Sequence, residues 1–267
     1  MRRSIHSLGV HALNCFTCSP YIPSGVDAGT LCLLIEKPDG LVLVDTGPGL
    51  EDCAHKLLMH RIFEAVTRAK IVPEETAVRQ IERLGFSPED VSDIVLTHMH
   101  FDHCGGIPDF PHARVHVYRR EYEAFTGQHP HWLNAAYMQR HIAHLPHLVL
   151  YDESPERWYA FPAVRLDLEP EMWFVPLHGH TQGHCGIAIR LGSVWWFHLG
   201  DAAPLQFESL FPSWLERLVL GNHYSMLRQF KADHPDIRIT TGHMRLSFFE
   251  DPDHHLLSDG SSLEKKE

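Results

Sequence analysis

Short apolar runs that stop abruptly at Gly, Asp, Thr or His set the pattern of this chain. Leu41-Val42-Leu43-Val44 runs into Asp45-Thr46-Gly47, Val91–Leu96 into Thr97-His98, and Trp173–Leu177 into His178-Gly179-His180. Val194–Leu199 likewise meets Gly200-Asp201, and Ile237–Thr241 meets Gly242-His243. Runs of this length with such endings predict buried strands feeding loops. Five strands that each finish on a polar residue place ligand-type groups along one edge of a packed sheet.

Helices are predicted between them. Glu74–Leu84 puts Val78, Ile81 and Leu84 on one face, and Gly85 supplies the stop. Ser87-Pro88-Glu89-Asp90 reads as an N-cap, a first-turn proline and acidic first-turn residues. Trp214–Phe230 is a second long helix, with Gly221-Asn222 as a place to break it. The mixture is α/β with helices on both outer faces. No flexible linker divides the chain, so residues 1–267 are expected to form one domain. The stretch 108–170 stands apart, rich in His, Tyr, Trp and Pro, with a helix expected over Leu133–Leu145. It reads as an insert or cap over a site, or equally as a surface helix with its loops. The tail at 252–267 is polar and expected to fray.

Composition narrows the classes. The chain is 44% hydrophobic and 21% charged, the balance of a globular protein and not of a disordered one. Its longest apolar runs, Leu31–Ile35 and Val194–Phe197, are far too short to cross a bilayer. A formal charge of −11 argues against a nucleic-acid groove. That sum treats all 23 histidines as neutral. Half-protonation near the unperturbed pKa of about 6.5 would add roughly eleven positive charges and nearly cancel it. Rings held by a metal must be neutral and leave this sum. The six cysteines do not form a disulfide framework, and Cys15 and Cys18 form a lone CxxC best read as free thiols. Met1-Arg2-Arg3 is basic but leads into no apolar signal core, so a cytoplasmic protein is the expectation.

The chemistry concentrates in His98-Met99-His100-Phe101-Asp102-His103, followed by Cys104-Gly105-Gly106. Imidazole suits zinc, iron, manganese or nickel, and carboxylate adds a harder ligand. Four ligand-type residues in six cannot all face one ion along a strand, because neighbours alternate sides. If the strand ends at His98 and the chain turns, His98 and His100 reach one ion, and Asp102 and His103 another. The glycines after them permit such a turn. Cys104 reads as packing behind it.

The segment His98-x-His100-x-Asp102-His103 resembles the HxHxDH signature of the metallo-β-lactamase superfamily. The resemblance continues, in family order, from about Leu31 to His243. It takes in Asp45-Thr46-Gly47, Gly179-His180-Thr181-x-Gly183-His184, Gly200-Asp201 and Gly242-His243. It implies an αββα sandwich of two mixed sheets with the site along one edge. It also implies that His98, His100 and His180 hold one ion and that Asp102, His103 and His243 hold a second. Asp201 would bridge the two, and Asp45 would support the site from behind. Two divalent ions, zinc first and iron or manganese as substitutes, are the implied cofactor. A hydroxide held between them would attack a carbonyl or phosphorus, with Asp102 moving the proton. His178, His184 and His198 stay outside the ligand set.

The likeness is greatest to N-acyl homoserine lactonases, through Leu31–Gly47, Ile71–Leu84, the His98–Gly106 run and Tyr118-Arg119-Arg120-Glu121-Tyr122. It implies hydrolysis of a small ester or lactone. A thioesterase or phosphodiesterase of the same fold is the alternative, as is a diiron oxidoreductase. Those lactonases often carry a tyrosine three positions after the bridging aspartate, where this chain has Pro204. Tyr224 or a histidine of the 108–170 stretch is the candidate substitute. Aromatics in that stretch suit either a homodimer contact or an acyl pocket.

Overall fold

Strands β1 (Val10–Cys18) and β2 (Ala28–Lys37) pair antiparallel, and β2 is buried along nearly its whole length. A strand covered on both faces needs apolar residues at every position. Leu31, Leu33 and Ile35 enter one core, and Cys32 and Leu34 enter another. β3 (Gly40–Val44) divides the same way, with Val42 and Val44 in the first core and Leu41 and Leu43 in the second.

The structure, a computed structural model, describes residues 9–21, 25–127, 136–143, 147–203, 205–208 and 212–250. β4 (Val91–Val95), β5 (Arg114–Tyr118) and β6 (Leu148–Tyr151) continue the first sheet in parallel, in the order β1-β2-β3-β4-β5-β6. A small ribbon, β7 (Arg157–Trp158) with β8 (Phe161–Pro162), leads to the second sheet. That sheet comprises β9 (Val164–Arg165), β10 (Met172–Pro176), β11 (Cys185–Leu191), β12 (Val194–His198) and β13 (Arg238–Thr240), in the order β13-β12-β11-β10-β9. β14 (His243–Arg245) returns to the first sheet and pairs with β2.

The layers follow from which residues share a core. Phe174, Ile187, Ile189 and Trp196 of the second sheet pack with Leu33, Val44 and Val95 of the first. The helices α1 (Leu50–Ala54), α2 (Leu58–Thr67) and α3 (Ala77–Arg83) follow β3. Ala77, Val78 and Ile81 of α3 cover the outer face of the first sheet. α4 (Phe101–Cys104) and α5 (Arg119–Phe125) follow β4 and β5, and α6 (Ser213–Leu220), α7 (Tyr224–Asp233) and α8 (Leu246–Glu250) come later. Leu227 and Phe230 of α7 cover the outer face of the second sheet with Ala188 and Phe197. The result is helix, sheet, sheet, helix.

All five predicted strands form, each within a residue or so of its expected limits. The predicted helices are shorter than expected. Thr76 is extended between a 3₁₀ turn at Pro73–Glu75 and α3, and its hydroxyl donates to the Pro73 carbonyl at 2.7 Å. Trp214–Phe230 is two helices, because Gly221 takes φ +88° after α6. Within the stretch 108–170, β5 and β6 complete the first sheet and β9 edges the second. The connection from α5 to β6 lies within this stretch. There, Gln139–Ile142 is a single 3₁₀ turn in place of the expected helix, and Leu133–Ala135 and His144–Leu145 lie outside the described residues. Pro204 and the 252–267 tail also lie outside them. Among the described residues no helix is long and apolar enough to cross a membrane.

Candidate metal centre

β3 occupies one edge of β2 from Leu33 to Lys37, and β14 takes the same edge from Ala28 to Thr30. The chain leaving β3 at Asp45 and the chain entering β14 at His243 therefore meet over the same stretch of β2. His98 follows β4, and His100 caps α4, which carries Asp102 and His103. His180 lies in the loop between β10 and β11, and Asp201 in the 3₁₀ turn Gly200–Ala202 after β12. Seven side chains from three loops and one strand start thus converge.

They converge as two triads with a carboxylate between. Ligand-type atoms of His98, His100 and His180 lie mutually close, as do those of Asp102, His103 and His243. His100 Nδ1 is 3.0 Å from His180 Nε2. Asp201 Oδ2 lies 3.4 Å from His180 Nε2 and 3.3 Å from His243 Nε2, and its Oδ1 is 3.6 Å from His103 Nε2. Asp102 Oδ2 is 3.8 Å from His103 Nε2 and 3.7 Å from His243 Nε2. Ligands about 2.0–2.1 Å from a tetrahedral ion would stand roughly 3.3 Å apart, so the spacing suits such ions.

The hydrogen bonds behind the rings determine which nitrogen faces inward. His180 Nδ1 lies 2.9 Å from the Val219 carbonyl, which can only accept, so Nε2 carries the lone pair. His103 Nδ1 donates to Asp45 Oδ2 at 2.9 Å. Thr97 donates its hydroxyl to Asp45 Oδ2 at 2.7 Å and its amide to Oδ1 at 2.8 Å. With that hydroxyl proton committed, Thr97 Oγ1 accepts from His98 Nδ1 at 3.0 Å. One carboxylate so orients two rings, the arrangement that fixes tautomers in metal sites. His98 Nε2, His103 Nε2 and Asp201 Oδ1 are buried without a hydrogen-bond partner, and each belongs to the cluster. Buried polar atoms are rarely left so. The donor set and these orphaned atoms fit two divalent ions.

The electrostatics divide the site. Burial, then the neighbouring imidazoles, hold His98 and His100 well below the usual histidine range, and burial lowers His180. Burial also opposes protonation of His103 and His243, but the Asp201 and Asp102 carboxylates outweigh it and raise both. Asp201 would be raised by burial, yet His243 and His103 bring it well below the carboxylate range. Burial likewise works against ionised Asp45, and His103 and His198 overcome it, holding the carboxyl at about 2. The half of the site that contains Asp102 and Asp201 calls for positive charge.

Neighbouring residues have other tasks. His184 Nε2 accepts the Asp201 amide at 2.9 Å and so fixes the turn that presents this carboxylate. His198 is buried with Nδ1 3.0 Å from Thr240 Oγ1. Cys104 is a buried thiol, 3.2 Å from the Met99 carbonyl and pushed well up by burial. All six cysteines are free. Tyr224 donates its hydroxyl to the Phe207 carbonyl at 2.6 Å. The tyrosine beside the centre is Tyr137, its ring 5.3 Å from that of His100 and its hydroxyl 3.0 Å from Glu121 Oε1.

Asp52, His60 and His141 form a further buried group of ligand type, built differently. The Leu57 amide donates to His60 Nδ1 at 3.0 Å, so the proton sits on Nε2, which faces Asp52 Oδ1 at 3.3 Å. His141 Nε2 is 3.0 Å from the same oxygen, the Arg140 guanidinium pairs with it, and the Gly49 amide donates to Oδ2 at 3.1 Å. Asp52 is paired with the Arg140 guanidinium and with His141, whereas His60 Nε2 has no hydrogen-bond partner. This network accounts for His141, and an ion-pair cluster around Asp93 accounts for His116. His129, His131 and His144 lie outside the described residues.

Sequence reasoning missed Thr97 and Glu121. The signal for Glu121 was an acidic residue at the position that Ala124 and Phe125 mark as the buried face of α5.

The model of the metallo-beta-lactamase superfamily matches residues 25–243. A probable metallo-hydrolase of Mycobacterium tuberculosis is 40% identical over 195 residues, which cover 72% of this chain and 62% of that protein. The chain thus spans about three fifths of that relative's length. An N-acyl homoserine lactonase of a Bacillus species is 33% identical over 166 residues, 62% of this chain and 60% of that one. The solved structure of an N-acyl homoserine lactone hydrolase, with N-hexanoyl-L-homoserine at its catalytic metal centre, has a TM-score of 0.65 at 22% identity, covering 90% of this chain and 94% of that one. A dizinc quorum-quenching lactonase has a TM-score of 0.58 at 21% identity, covering 86% and 75%. The chain belongs to the metallo-beta-lactamase superfamily, and the limits of the family match, 25 and 243, enclose every predicted ligand.

Proposed function

We propose that the protein is a dinuclear metal-dependent hydrolase acting on a small ester or lactone. The observation that carries this reading is the placement of Asp201 between two triads in which hydrogen bonds behind His98, His103 and His180 turn the other nitrogen of each ring inward. His98, His100 and His180 would hold one ion, Asp102, His103 and His243 the other, with Asp201 shared. Zinc suits this nitrogen and oxygen set. When bound, such a pair of ions supplies a hydroxide nucleophile at neutral pH and an electrophile for a carbonyl oxygen.

The chain's own residues do the rest. Asp45, through Thr97 and directly, holds His98 and His103 in one tautomer. His184 secures the Asp201 turn. Asp102, whose Oδ2 faces two rings of its triad, takes the nucleophile's proton on its carboxylate and returns it to the leaving oxygen. No serine or cysteine attacks, and Cys104 stays a thiol. The resemblance to lactonases favours a lactone over a thioester or phosphodiester.

A panel of lactones, esters, thioesters and phosphodiesters tests this, run with metal loaded and after chelation. The expected result is turnover of lactone or ester that chelation abolishes and added metal restores. No turnover in the panel with two ions bound per chain would overturn the proposal. Oxygen uptake without hydrolysis would mark the diiron oxidoreductase instead.

A further inference from the structure

Glu121 is a buried carboxylate on α5 whose four hydrogen-bond partners come from three separate segments. The Met99 amide donates to Oε1 at 2.9 Å and the Tyr137 hydroxyl at 3.0 Å. The Thr181 hydroxyl donates to Oε2 at 2.6 Å and the Gly183 amide at 3.1 Å. Met99 sits between His98 and His100, Thr181 directly follows His180, and the Tyr137 ring lies against His100. Gly183 adds a second, geometric constraint. A Cβ there would stand 2.0 Å from the Glu121 backbone nitrogen and 2.4 Å from its Cα, so only glycine lets this loop reach α5.

The other triad is anchored elsewhere, His103 on Asp45 and His243 within 3.3 Å of Thr30 Oγ1. We infer that Glu121 is a positioning residue that ties the two loops carrying His98, His100 and His180 into one ion site, acting on that ion and not on its neighbour. The inference rests on the ligand assignment proposed above. All four partners are donors, so an ionised carboxylate satisfies them together. Glutamine cannot: its amide NH₂ must face either the Met99 or the Gly183 N–H, a donor against a donor.

The test uses the metal-free full chain, titrated with zinc against a chromophoric chelator. The two binding events are assigned by their loss in His180→Ala and His243→Ala. In Glu121→Gln the event lost in His180→Ala should weaken at least tenfold, while the other stays within twofold. Amide exchange in metal-free Glu121→Gln should quicken at least tenfold at Met99 and Gly183 but not at Asp201, whose amide His184 holds. Tyr137→Phe and Thr181→Val, each removing one donor, should weaken the same event about two- to fivefold, and they decide the matter if Glu121→Gln does not fold. Equal weakening of both events, or of neither, with unchanged exchange overturns the positioning role. A wild-type chain that binds fewer than two ions overturns the ligand assignment, and the exchange result then judges the Glu121 tie independently.

Discussion

Asp45 carries its role in its backbone as well as in its carboxylate. It sits at φ +55°, the left-handed region that Asp and Asn tolerate better than other side chains. Asp45→Asn therefore keeps the turn while replacing an ionised acceptor of three hydrogen bonds with an amide that must also donate. The expected cost is about 10- to 100-fold in metal affinity, the usual effect of removing a partner behind a ligand. Competition titration on protein with a native circular dichroism spectrum checks it, and unchanged affinity would dismiss the role. Asp201→Asn should lose an ion or abolish turnover, since both its oxygens face ligand nitrogens. Unchanged kinetics and metal content would end its assignment as the shared ligand. At this scale the sequence was informative wherever ligands cluster within six residues, as from His98 to His103. It was silent on Thr97, because a threonine at a strand end is unremarkable until a carboxylate 52 residues away accepts from it.

Between elements, Asp93 joins strands as Asp45 joins loops. Its buried carboxylate on β4 meets Lys37 Nζ of β2 at 3.1 Å, and Arg114 Nη2 and His116 Nε2 of β5 at 2.7 and 2.9 Å. Burial works to raise its pKa, but His116, Ser92 and Lys37 outweigh burial and hold it well below the carboxylate range. A depressed folded-state pKa stabilises the fold above the unfolded value of about 3.9, and that stability is lost as pH falls through the lower folded value. Asp93→Asn should thus cost about 3–5 kcal/mol at neutral pH, leaving Lys37 buried with a weaker partner. Urea unfolding at pH 7 and pH 3 should show the gap between variant and wild type narrowing in acid, and a constant gap would contradict the assignment. Strand endings were legible at this scale because runs such as Val194–Leu199 need no partner to be recognised. β6 was not, being four half-buried residues whose strand character comes from pairing with β5.

For the whole molecule the decisive count is ions per chain. Among the described residues four groups of ligand-type side chains are close enough to chelate, three of them overlapping in one centre and the fourth gathered around Asp52, which Arg140 already pairs. Elemental analysis should find two ions, and His60→Ala or His141→Ala should leave that number unchanged. Loss of an ion in either variant would show that the Asp52 network binds metal. Chelation should lower the melting temperature, because an ion present at 100 times its Kd adds about 2.7 kcal/mol to the folded state.

The sequence by itself determined the ligand types, their order and the strand ends that bear them, since these depend on covalent neighbours and short-range periodicity. Only the tertiary structure decided which nitrogen of each ring faces the centre. That choice belongs to whatever the other nitrogen touches, and for His180 and His243 the partner lies 39 and 213 residues away. The same holds for Glu121 and Asp52, two buried acids with similar prospects on paper. One gathers donors from the loops of the centre, while the other pairs with Arg140 and His141 away from that centre.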